Sequence, residues 1–220
     1  LPHDTFFGTD WSSHNEKFER LAEVFSDWGS SETEADRYPL PEVEKGNFIR
    51  DALARGFHLG MAGGSDTHVS RPGLNAITQA GHPYAFTALT AVEAPARTHD
   101  DLWNALYNRR CYAASAGRRH LLHFTVNGAA MGSRIARATP ASRPRLSATI
   151  VGAADIREIL IIKNTIPVAT FPGAGWCQSI DWTDPSPTAN AEDSYYIRAE
   201  FEDTSMAWSS PIWVSAERTP

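Results

Sequence analysis

The chain has little of several things that would decide its class at once. Of its 220 residues only two are cysteine, Cys111 and Cys177. They lie far apart in segments of different character, so no disulfide framework is implied and the compartment stays open. No apolar run approaches the roughly 20 residues of a membrane-spanning helix, so no membrane partner is expected, and no signal-peptide pattern opens the chain. Basic charge is sparse: 20 Lys and Arg stand against 26 Asp and Glu, a net charge of −6. The only dense basic spots, 108–110 and 117–120, read as a helix end and a solvated loop, so no nucleic-acid surface is expected. The G-x-S-x-G elbow, the P-loop and the dinucleotide fingerprint are absent, and no two histidines are spaced H-x-H.

What is present describes a soluble globular chain, cytoplasmic or exported. Hydrophobic residues make up 42% and charged residues 21%, enough apolar side chain for a sizeable core. The first residue is Leu1, which reads as a processed chain or an excised fragment.

The patterning changes near residue 120. Before it, apolar runs alternate with helical stretches. "RLAEVFS" (20–26), "HLGMAGG" (58–64), "LTAVEA" (89–94) and "CYAASA" (111–116) read as strands. Residues 42–57 and 98–110 read as helices, the second capped by Thr98 or Asp100 and closed by arginines. Such alternation points to βα units and a largely parallel sheet. After residue 120 the helical pattern stops. Six strand-like runs follow, among them "RLSATIVG", "EILIIKN" and "SYYIRAEFED", and their alternation points to an antiparallel sandwich. The predicted architecture is a partial α/β domain over 1–119 and a β-sandwich over 120–220.

The chemistry concentrates in "GMAGGSDTH" (60–68). Asp66 and His68 follow a strand exit, where α/β folds place functional groups. Alternate residues on extended backbone point the same way, so a carboxylate and an imidazole could reach one Zn, Mn or Fe ion. The alternative is a capping aspartate beside a surface histidine. His3, in "LPHDTFF", is a second candidate at another strand mouth, with Asp4 and Asp10 as orienting groups or solvated turn residues. Asp27, Trp28 and Glu32, in "EVFSDWGSSE" (23–32), could wall a substrate pocket or cap a core. His82, in a Gly/Pro-flanked loop, could overhang the site.

Taken together, the "PH" exit, "EVFSDWGSSE" and "GFHLGMAGGSDTH" followed by "RPG" resemble the C-terminal half of the PHP (polymerase and histidinol phosphatase) metallohydrolase superfamily. The closer likeness is to its DUF3604 and CehA/McbA-like branch, and "LTAVEAPARTHDDLWNALYNRRCYAAS", "FTVNGAAMGS" and "SSPIWV" extend it over nearly the whole chain. The resemblance implies the C-terminal part of a distorted (β/α)7 barrel. It implies two or three divalent metal ions at the strand ends, and hydrolysis of a small-molecule phosphoester or related ester. By position, Asp66 and His68 match the last metal motif, His3 matches the preceding histidine motif, and Glu23 falls in the family's acidic strand. The family's first H-x-H motif and its middle acid and histidine motifs do not occur here. The missing half is then expected as a truncated or separate piece, with association through the open barrel edge or as a homo-oligomer. The rival reading is a non-catalytic module whose sandwich, with Trp176, Trp182, Trp208 and Trp213, binds carbohydrate or a partner protein.

Overall fold

The computed structural model describes residues 1–35, 43–68, 87–139, 141–189 and 191–216. A small sheet is formed by β1 (Leu21–Ser26), β2 (Gly29–Ser30) and β3 (Gly60–Gly63) in the order β2-β1-β3. Two helices follow the first strands, α1 (Ile49–Ala54) and α2 (His99–Tyr107). A ten-stranded sheet takes β4 (Leu89–Val92), β5 (Cys111–Ala114), β6 (Leu121–Val126), β7 (Ala129–Ala130), β8 (Arg134–Ala136), β9 (Arg145–Lys163), β10 (Ile166–Thr183), β11 (Asp193–Phe201), β12 (Met206–Ser209) and β13 (Ile212–Ser215).

This arrangement corrects the predicted fold. The protein is mostly β, a curled and mainly antiparallel sheet, and not part of a (β/α)7 barrel followed by a separate sandwich. Among the described residues only β1 with β3 and β13 with β8 run parallel. The strands on either side of α2 pair antiparallel, Leu89 opposite Ala114 and Val92 opposite Cys111. The reason lies in the helices. A parallel sheet needs helices covering its faces, but Ala105 is the only buried residue of α2. The helix predicted over 42–57 shrinks to one short turn-and-a-half after Phe48, whose N–H donates to the Asp51 side chain at 2.9 Å.

Local turn chemistry sets the antiparallel register instead. Asn127 and Gly128 both have positive φ between β6 and β7, and Asn164 and Thr165 do so between β9 and β10. Positive φ at both central residues is what a tight primed hairpin turn demands. Two runs predicted as separate strands, 145–152 and 158–164, merge into the single long β9. β10 pairs with β9 alone and carries Pro167 and Pro172, which lack the N–H an added strand would need.

β11 and the last five residues of β9, from Ile159 to Lys163, are buried on both faces, and this organises the core. Ile159, Ile161, Tyr195, Ile197, Ala199 and Phe201 face one cluster with Phe124 and Ile150. Leu160, Ile162 and Tyr196 face the other, where Val24, Phe25, Met61 and Trp208 bring the small sheet against the large one. The unbroken apolar run "ILII" is the sequence expression of a strand covered on both sides. Trp208 and Trp213 are buried in this second cluster, while Trp176 stands exposed on β10.

Candidate metal centre

Three chain segments meet at one end of the small sheet. β1 and β3 run parallel, Leu21 opposite Gly60 and Glu23 opposite Ala62, so the residues leaving them, Asp27 and 64–68, emerge side by side. The first residues of the chain join them. The Glu23 N–H donates to the Pro2 carbonyl at 2.9 Å, and this backbone bond lays His3 and Asp4 alongside β1. One ligand atom each from His3, Asp4 and Asp66 then fall within 4.8 Å of one another.

His3 Nδ1 lies 3.5 Å from Asp4 Oδ2 and 3.6 Å from Glu23 Oε2. The Glu23 side chain is only 9% exposed, and its Oε2 accepts no hydrogen bond. Burial, with Asp4, Asp66 and Asp27 as neighbouring negative charges, pushes its carboxyl up to about 8. Asp4 is raised too, chiefly by burial and then by Asp66, against the lowering effect of its bond from Ser26. Gly64 makes this crowding possible: a Cβ there would run into the Glu23 carboxylate. A buried acid without hydrogen bonds to one oxygen, among other acids, is costly for the metal-free chain. Carboxylate oxygens with an imidazole nitrogen are a donor set suited to Zn, Mn or Fe, so the residues present fit a divalent cation.

Backbone conformation marks the same place. Asp4, Asp66 and His68 have φ of 44°, 47° and 53°, in a left-handed region that non-glycine residues seldom adopt. The extended-backbone argument for Asp66 and His68 therefore does not describe how they meet. The turn folds His68 back so that its Nε2 sits 2.8 Å from Asp66 Oδ1. His68 is exposed and joins the group through Asp66, outside the set of three.

The other predicted site residues part company. Asp27 is buried beside the cluster. Trp28 is half-buried, its ring edge-on to Phe7 with centroids 6.1 Å apart. Glu32 does not line a pocket. It is fully buried and held by Arg50, Arg198, Tyr196 and Trp208, a structural anchor between α1 and the large sheet. His82 and the "RPG" of 71–73 lie outside the described residues. A cleft of about 330 Å³, bounded among others by Pro2, His3, Thr9, Trp11 and Glu19, opens beside His3; it is of a size that holds small ligands.

Sequence reasoning placed Glu23 in the acidic strand of the family it resembles without making it a ligand, and left Asp4 between an orienting group and a turn. One signal was available for Glu23: it is the lone acid inside the otherwise apolar "LAEVF", and a strand buried on both faces leaves such a side chain no route to water. Cys111 is inert by comparison, buried with its thiol pushed up to about 11 by burial.

The chain is similar to an uncharacterized protein of Chlamydia trachomatis, 33% identical over 229 residues, an alignment covering 94% of this chain and 36% of the relative. An uncharacterized protein of Chlamydia muridarum matches with the same figures, and one of Chlamydia pneumoniae is 30% identical over 231 residues with the same coverage. The chain thus spans about a third of the length of the curated relatives it matches. No family model and no solved structure matches it. No helix among the described residues is long and apolar enough to cross a membrane.

Proposed function

We propose that this chain carries part of the centre of a metal-dependent hydrolase that acts on a small phosphoester or related ester. The observation that carries the reading is Glu23 Oε2, buried without a hydrogen bond and 3.6 Å from His3 Nδ1, at the edge of the His3 and Asp66 group. His3, Asp66 and Glu23 would hold one divalent cation. Further ions would need ligands beyond these. The resemblance to the PHP superfamily in the residues around Asp66 supports the same chemistry, although the barrel it implied is not the fold found.

A divalent ion in such a site supplies Lewis acidity toward a carbonyl or phosphoryl oxygen. The chain's own residues do the rest. Glu23, Asp4, Asp27 and Asp66 concentrate negative charge that favours a cation. Asp66 accepts from His68 Nε2 and so fixes that imidazole at the exposed rim, where it can hold a proton near incoming substrate. The cleft beside His3 offers room for the rest of a small molecule.

The test is metal analysis together with turnover of chromogenic phosphomonoesters, phosphodiesters and carboxylic esters. The protein should carry Zn, Mn or Fe and hydrolyse at least one of these, and Asp66→Asn should lose both metal and activity. A protein that takes up no transition metal and is unaffected by Asp66→Asn would end the proposal.

A further inference from the structure

Two aspartates open short 3-10 helices near the start of the chain, and they behave differently. Asp10 precedes the helix Trp11–Ser13 and caps it, its Oδ1 accepting from the Ser12 N–H at 3.0 Å and from Ser12 Oγ at 2.6 Å. Asp4 precedes the helix Thr5–Phe7 and caps nothing. Its Oδ1 accepts instead from Ser26 Oγ at 2.9 Å, across to the end of β1. Ser26 is buried, and its Oγ in turn accepts the Trp28 N–H at 3.1 Å. The serine hydroxyl is therefore pinned by backbone on one side and donates to Asp4 on the other. Asp4 Oδ2 is left 3.5 Å from His3 Nδ1, and a ligand atom of Asp66 lies within 4.8 Å of one from each of these two residues.

An independent feature says that this group is arranged around something. Glu23 lies on the strand that carries Ser26, more than nine-tenths buried, with an oxygen that accepts no hydrogen bond and faces His3. Nothing in the Asp4–Ser26 pair requires that. A cation between His3, Asp4, Asp66 and Glu23 would give the orphaned oxygen a partner.

We infer that Asp4 is a further ligand to the cation and that Ser26 is the residue that positions it, acting through the Asp4 carboxylate. This rests on the metal-centre reading above; it makes Asp4 a ligand where that reading used only its charge, and it adds Ser26. Ser26 holds Asp4 Oδ1 so that only Oδ2 is offered to the ion, and the ion meets a carboxylate already oriented. Partners that orient a ligand are commonly worth about 10–100-fold in metal affinity.

The experiment is titration of the chain with Co(II), read by calorimetry for affinity and by visible absorption for the ligand field. Wild type should bind. Asp4→Asn should bind at least about tenfold more weakly with a changed absorption band, as expected for a lost carboxylate ligand. Ser26→Ala should weaken binding by about tenfold, and Ser26→Thr, which keeps the hydroxyl, should recover most of it. Asp10→Asn, a carboxylate outside the group, should bind like wild type, and thermal melts of the metal-free variants separate loss of ligand from loss of fold. If wild type binds Co(II) while Asp4→Asn and Ser26→Ala bind within twofold of it and with the same spectrum, this inference falls and the metal centre stands. If Asp4→Asn weakens binding but Ser26→Ala does not, the positioning role is overturned. If wild type binds no Co(II), Zn or Mn, the metal centre itself falls, and this inference with it.

Discussion

Glu23 and Glu32 sit close together in sequence, on and just beyond the β1–β2 hairpin, and both are buried. Their surroundings are opposite. Glu32 Oε1 accepts from Arg50 Nη2 at 2.8 Å and from Tyr196 at 2.6 Å, and Oε2 accepts from Arg198 Nη1 at 2.9 Å and Trp208 Nε1 at 2.7 Å. Burial alone would raise its carboxyl, but Arg198 and Arg50 outweigh that and hold it below the usual carboxylate range. Among the described residues no arginine offsets Glu23 and three acids surround it, and its carboxyl is driven the other way. A buried carboxylate with every oxygen used is a fastener. One with an oxygen unused, among like charges, is costly unless something else occupies the space.

The comparison breaks most visibly at Glu32. Glu32→Ala takes the counter-charge from buried Arg50 and leaves Arg198 to Glu200, 3.3 Å away, and removing one partner of such a pair costs about 3–5 kcal/mol. Urea denaturation should show a loss of that size, and a loss below about 1 kcal/mol would mean that Glu32 is no anchor. The next largest effect belongs to the other acid cluster. A divalent ion at a hundred times its dissociation constant should stabilise wild type by about 2.7 kcal/mol, seen as a raised melting temperature, while Asp66→Asn should gain little.

Two pH dependences of opposite sign sharpen the contrast further. In the metal-free chain the Glu23 carboxyl titrates at about 8 rather than at its ordinary 4.5, so between those values the unfolded chain has lost a proton that the folded chain keeps. Its stabilising effect is whole below the lower value and is lost as pH rises. From pH 6 to pH 8, Glu23→Gln should gain stability over wild type by on the order of 2 kcal/mol, and saturating metal should abolish the difference. His120 works the other way. Buried, stacked on Phe201 and bonded to Ser205 Oγ at 2.9 Å, it is pushed down to about 4 by burial first and Arg118 second, with Asp203 opposing. The folded chain keeps it neutral, so stability is lost as pH falls below about 6.5, on the order of 1–2 kcal/mol by pH 5. An NMR titration of the His120 ring that gave an ordinary histidine midpoint would refute it.

Parts of this were legible from residues alone. The alternation of "YYIRAEFE" separates Tyr195, Ile197, Ala199 and Phe201 from Tyr196, as the two core clusters do, because side chains on a strand alternate whatever the strand pairs with. Strand direction was not legible. "LTAVEA", a helix and "CYAASA" fit a parallel crossover and an antiparallel return equally well, and the choice rests on whether the helix covers the sheet. α2 does not. Asp66 and His68 were legible as a pair because they are two residues apart. For Glu32 the residues left pocket wall and core cap open, because its partners, Arg198 and Trp208, come from distant strands.

Local features follow from the residues alone: which runs are extended, which dipeptides turn back with positive φ, and that an acid and a histidine follow a glycine pair. These depend on backbone sterics and side-chain period within a few residues. Which of two neighbouring glutamates is satisfied, and that His3 and Asp4 stand beside Asp66, emerges only when the strands are assembled. Those outcomes depend on which distant strands arrive with arginine and which arrive with more acid. Charge compensation in a buried site is a property of the assembled neighbourhood rather than of the residue that needs it.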